Sequence, residues 1–157
     1  MALIHDYDFV PRAAEPGLTV EPLFSEPMYV ASRLPLDPGG GSPIARCEDA
    51  AWITASPGTA CHQMTVRACQ AAGFTPRVRH RIDEFATVLA LVAAGQGVAL
   101  VPHLGTVDAP PAMTLTPVPI RRRTKIAIRS GAARHPAVTA VTQALRSTVP
   151  AELDKDW

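Results

Sequence analysis

Apolar positions along this chain recur with two periods, and each change of period marks an element. Cys61, Met64, Thr65, Ala68, Cys69 and Ala72 fall on one face of a helix. Thr59 stands where a helix needs its N-cap. Gly73 follows as the left-handed terminator, Phe74 is placed to fold back on the last turn, and Pro76 bars continuation. Arg77 to Ile82 then alternates, with Val78, His80 and Ile82 on one side and three arginines on the other, the pattern of a strand with one polar face. The spacing of Phe85, Val88, Leu89, Val92 and Ala93 predicts a second helix, with Asp83 as N-cap, Glu84 in its first turn and Gly95 at its end. Gly97 to Pro102 is a continuous apolar run, expected of a strand buried on both faces. With the short strand Trp52-Ile53-Thr54 and the turn Ala55-Ser56-Pro57-Gly58 in front, residues 52–102 read as β-α-β-α-β, which implies right-handed crossovers and a parallel sheet.

The flanks are looser. Ala2-Leu3-Ile4-His5 reads as a buried strand directly after the first methionine, and we expect the chain to be part of a larger protein. Glu26 to Ser32 reads as a strand, and Leu34 to Pro43 as a loop rich in proline and glycine. Met113 to Ile120 and Thr124 to Arg129 read as two strands. Pro136 opens a last helix with Val138, Val141, Leu145 and Val149 on one face, ended by Pro150 and followed by a polar tail, Ala151 to Trp157.

Composition narrows the function. With 47% hydrophobic and 18% charged residues the chain is of globular type, and a net charge of +1 provides no global field for nucleic acid or a membrane surface. The longest apolar run, Val98 to Val101, is far short of the ~20 residues a bilayer span needs. Residues 1–11 lack the basic and apolar regions of a secretion signal. Three cysteines make no disulfide framework, so a cytoplasmic location is expected. The histidines are scattered, and neither a metal-binding spacing nor a nucleophile elbow nor a phosphate loop occurs, so no metal, cofactor or enzymatic activity is expected.

Two segments, in this order, resemble the effector-binding domain of LysR-type transcriptional regulators. The first is Trp52-Ile53 with Gly58 to Gly73-Phe74-Thr75-Pro76. The second, more specific, is Asp83 to Val92-Ala93-Ala94-Gly95-Gln96-Gly97-Val98-Ala99-Leu100-Val101-Pro102. The resemblance runs from Met1 to about Val149. Ala2-Leu3-Ile4 looks like the strand entering the family's hinge, Glu21 to Ser32 like the first crossing between lobes, and Lys125 to Arg129 like the return. The family's helix-turn-helix and the opening of its first sensor lobe have no counterpart. The resemblance implies an α/β, periplasmic-binding-protein-like (type II) lobe with a mainly parallel five-stranded sheet, plus remnants of a second lobe. Residues 1–18 are then a remnant of lobe one and hinge, 19–120 lobe two, and 121–157 the return crossover, the C-terminal helix and the tail. It also implies a small-molecule effector, homodimers or higher oligomers, and DNA contact only through a domain outside this chain.

In an open α/β sheet, ligands sit beyond the carboxyl ends of the strands. That puts the turn from Thr54 to Thr59 beside the one after Pro102, with a helix N-terminus suited to a small anion such as a carboxylate. Ser56 and Thr59 are candidate hydroxyl donors and Gly58 permits close backbone approach, although Thr59 also serves simply as a cap. Phe85 is either a core residue or a wall of the same pocket. His5 and His103 lie near the hinge, as plain loop residues or as ligand contacts. A branch of the family senses peroxide through two cysteines on this helix, and Cys69 stands where that branch has its resolving thiol. In an intact helix, however, Cys61 and Cys69 are ~12 Å apart, against the about 4.4–6.8 Å a disulfide needs. Small apolar helix-face residues are the plainer reading. Arg121-Arg122-Arg123-Thr124-Lys125 reads as a solvated connection between lobes. The rival from another class is a periplasmic solute-binding protein of the same two-lobe plan.

Overall fold

The computed structural model describes residues 1–37 and 39–153. Pro38 of the predicted loop and residues 154–157 of the predicted tail lie outside them. Among the described residues six strands and three α-helices follow in the order β1 (Ala2–Tyr7), β2 (Leu18–Ser32), β3 (Ala51–Thr54), α1 (Ala60–Ala71), β4 (Arg77–Arg81), α2 (Phe85–Ala93), β5 (Ala99–Pro102), β6 (Thr114–Arg129) and α3 (Pro136–Thr148). Short 3₁₀ turns span Ala45–Cys47 and His103–Thr106.

The β-α-β-α-β reading of residues 52–102 holds. Thr59 caps α1, accepting the His62 amide N–H on its hydroxyl oxygen. Gly73 closes that helix at φ 99°, and the Phe74 amide N–H reaches back to the Cys69 carbonyl. Phe74 then lies against the buried Trp52, with ring centroids 6.1 Å apart. One detail differs. The N-cap of α2 is Glu84, whose carboxylate accepts from the amides of Ala86 and Thr87, while Asp83 is engaged elsewhere.

The sheet is not mainly parallel. Among the described residues parallel pairing is confined to β3–β4 and to a single bridge between Trp52 and Val98. β2 pairs antiparallel with both β5 and β6, and β6 with β1, in the order β1-β6-β2-β5. The helical crossovers make only residues 51–102 parallel; β2 enters that unit and β6 leaves it, so the two long strands must run in opposite directions. β6 is moreover one strand of 16 residues where two were expected. Its pairing with β2 shifts register twice: Leu23 is extra on β2 between Pro22 and Phe24, and Pro119 and Ile120 are extra on β6 opposite the step from Pro27 to Met28.

These two strands are shared by separate packing regions. Beyond the second irregularity, Met28, Val30 and Ala31 pack with β3, β5, α1 and α2. Before it, Leu23 and Phe24 pack with Ile126 and Ile128 of β6, Val149, Leu153 and the Val138–Leu145 side of α3. Leu153 is thus buried in what the sequence presented as a polar tail. β1 is less covered than expected: Leu3 is 47% exposed, because β1 is an edge strand with β6 as its neighbour on one side.

Candidate functional site

The carboxyl ends of β3 and β4, the N-termini of α1 and α2, and the strands β1 and β6 enclose a cavity of about 300 Å³, at the lower end of the volumes small-molecule sites occupy. Four predicted residues meet there: His5, Thr54, Thr59 and Phe85. The other three stand outside its lining. Ser56 gives its amide N–H and hydroxyl to the Asp83 carboxylate, at 2.8 and 2.6 Å. Gly58, at φ 90°, shapes the exposed turn without reaching the cavity. His103 lies in the 3₁₀ turn after β5, with its Nδ1 3.4 Å from the Tyr29 hydroxyl.

Residues that sequence reasoning passed over complete the lining. Ile53, Ile82, Val88 and Leu100 supply apolar wall, and Tyr7, Cys61, Thr65, Asp83 and Arg122 supply polar groups. Arg122 matters most. Its Nε and Nη2 both contact Glu26 Oε1, at 2.8 and 2.7 Å. Glu26 is fully buried, and its other oxygen accepts the Leu104 amide N–H at 2.7 Å. The Arg122 guanidinium lies 5.9 Å from the centroid of the Phe85 ring, within the range of a cation–π contact. The stretch read as a solvated connection is therefore the middle of β6, with Arg122 turned inward. Arg123 pairs with Asp8, and Arg121 donates its Nε–H to Ser25. A signal was available. Counting by twos from Val118 and Ile120 to Ile126 and Ile128 carries the inward face through residues 122 and 124, and the same face of β2 runs from Phe24 through Glu26 to Met28.

Burial sets the charge states around the cavity. It lowers the affinity of His5 for a proton, and the Arg122 charge adds to that, so the imidazole is neutral at pH 7. Its Nδ1 lies 3.1 Å from the Thr124 hydroxyl. Burial holds the Tyr7 hydroxyl protonated, placed between Arg122 and Cys61. The Cys61 thiol is likewise pushed up by burial, against the pull of Tyr7 and Arg122. The thiols of Cys47 and Cys69 are pushed up by burial to about 11 and about 12. All three cysteines are free, and α1 is unbroken between Cys61 and Cys69. Among the described residues no cluster of histidine, cysteine or acidic side chains has the makings of a metal site. No helix among them is long and apolar enough to cross a membrane.

The order and arrangement of these elements are shared with known proteins. The LysR substrate binding domain family matches residues 1–150. The chain belongs to that family. LysR substrate binding domains are the ligand-binding parts of transcriptional regulators and do not form an enzyme family. A probable HTH-type transcriptional regulator, LrrA of Synechococcus elongatus, is 36% identical over 76 residues, which covers 47% of this chain and 26% of that protein. The chain thus spans about a quarter of the regulator's length. Among solved structures, the regulatory domain of CcmR from Synechocystis, in complex with 2-PG, superposes with a TM-score of 0.75 at 19% identity, over 96% of this chain and 74% of that one. The reduced form of OxyR from N. meningitidis gives 0.73 at 17% identity, over 99% and 74%. At those identities the two structures establish the LysR-type fold, the α/β plan of type II periplasmic binding proteins, and nothing finer.

Proposed function

We propose that this chain is the effector-sensing part of a cytoplasmic LysR-type transcriptional regulator, and that its effector is a small carboxylic acid held in the cavity around Thr54, Thr59, Phe85, His5 and Arg122. DNA contact belongs to a helix-turn-helix that these residues do not supply, and the working regulator is a homo-oligomer. The observation that carries the reading is the composition of the cavity wall. One side comes from the β-α-β unit, through Thr54, Thr59 and Phe85, and the other from the antiparallel pair β1 and β6, through His5, Tyr7 and Arg122. A ligand there touches the β-α-β unit and the antiparallel strands at once. It favours whichever arrangement brings its contacts together, and that difference in affinity is what shifts a regulator between states.

An acid suits the site. Only the His62 amide is taken up by the Thr59 side chain, and the first-turn amides of Ala60 and Cys61 have no partner that a helix can provide. The positive end of the α1 dipole adds to the Arg122 charge there. The presence of 2-PG in the CcmR regulatory domain shows that another domain of this fold takes a small ligand. Thermal-shift screening of the chain against small organic acids tests the reading. At least one acid should raise the melting temperature, and its effect should vanish in Thr54→Val and in Ile82→Trp, which fills the cavity. A hit indifferent to both changes would place the site elsewhere.

A further inference from the structure

Arg122 lines the cavity while Glu26, its register partner on β2, sits behind it with no exposed surface. Glu26 grips one edge of the guanidinium and is anchored in turn by the Leu104 amide. Phe85 lies under the guanidinium, so the plane of the fork is held from two directions. A guanidinium prepared in this way binds a carboxylate through paired N–H donors, which a neutral amide or alcohol does not match. Arg122 is the only cationic side chain among the described residues of the lining, and the α1 N-terminus adds a partial charge. Among the ionisable groups of the lining, His5 is neutral and Tyr7 and Cys61 are protonated. Asp83 at the mouth is negative, and Glu26 already offsets part of the Arg122 charge, so the site is poorly suited to a ligand carrying two negative charges. Ile53, Val88, Leu100 and Phe85 favour a compact apolar body.

We propose that Arg122 is the residue that makes this cavity select a monocarboxylate with an apolar body, and that Glu26 is the positioning residue that both aims the guanidinium and moderates its pull. This rests on the reading of the cavity as the effector site. Ligand and Glu26 share one cation, so weakening Glu26 strengthens the ligand's hold.

The test compares benzoate with its neutral analogue benzamide, titrated into the full chain and followed by NMR. Native protein should bind benzoate about tenfold more tightly than benzamide, the size of one charge-assisted contact. Glu26→Gln should tighten benzoate several-fold and leave benzamide unchanged. The double variant Arg122→Met/Glu26→Gln carries no charge at the pair, and its amide still accepts the Leu104 N–H. It should fold, as shown by circular dichroism, and lose most of the preference for benzoate, keeping only the small part that the α1 N-terminus supplies. A purely structural pair predicts the opposite: Glu26→Gln weakens both probes alike, and the double variant keeps the full preference for benzoate. Either result overturns the role of Arg122 while leaving the cavity as the binding site. Failure of both probes to bind native protein removes this inference together with the reading beneath it.

Discussion

Asp83 holds Ser56 by both of its donors, and so ties the ends of β3 and β4 together at the mouth of the cavity. The residue expected to cap α2 instead closes the turn expected to bind the effector, and Glu84 takes over the cap. Those bonds hold the Asp83 carboxylate below its ordinary value of 3.8, and the bonds from Thr87 and Ala86 hold Glu84 below 4.5.

The first prediction concerns acid stability. A carboxylate whose folded value is depressed stabilises the fold fully above its unfolded value and loses that contribution as pH falls through the lower folded one. Stability should therefore decline below about pH 4.5. In Asp83→Asn/Glu84→Gln the decline should be shallower, starting from a lower plateau at neutral pH. Urea midpoints measured between neutrality and pH 3 decide it, and parallel curves for the two proteins would show that these bonds contribute nothing.

Gly97 lies at φ 155° where β3 meets the run into β5, and a methyl group added there would stand 2.5 Å from the Ala51 carbonyl oxygen. That oxygen accepts the Val98 amide in the bridge joining the strands. Gly97→Ala should cost about 3 kcal/mol in urea unfolding, from strain together with a disturbed bridge. A cost below about 1 kcal/mol would mean that the junction shifts freely.

Burial raises all three thiols, most firmly Cys47 and Cys69, and nucleophilic attack on peroxide requires the thiolate. Brief peroxide treatment of folded protein should leave every cysteine titratable by mass spectrometry. Rapid appearance of a Cys61–Cys69 bridge would instead establish a redox switch that unwinds α1.

Self-association should run through β1. The strand has an open edge, and on β2, two strands in, Leu18 and Val20 are 39% and 41% exposed around the same surface hollow as Ile4 of β1. Open edges with apolar neighbours recruit further strands. The C-terminal helix packs on its own chain through Val138 and Leu145. Light scattering should give a dimer, and Leu18→Lys/Val20→Lys a monomer. A native monomer at tens of micromolar would sink the idea.

The sequence alone determined whatever depends on neighbours a few residues apart. The period of apolar positions revealed α1 and α2, glycine and proline chemistry placed their ends, and the order of strands and helices from Trp52 to Pro102 carried the family resemblance. Contacts between distant residues were decided only in three dimensions. The direction of β2 against β6 depends on where the chain re-enters the sheet, which no local pattern records. Arg122 sits in a basic run that resembles a solvated connection. Only a buried Glu26, 96 residues away and at the facing register position, makes it cheaper to turn that charge inward than to leave it in water. Ser56 was free to bind a ligand until Asp83, 27 residues on, came within hydrogen-bond distance. Local order followed from composition and spacing, while the cavity's charge and its open donors followed from which strand ends the fold brought together.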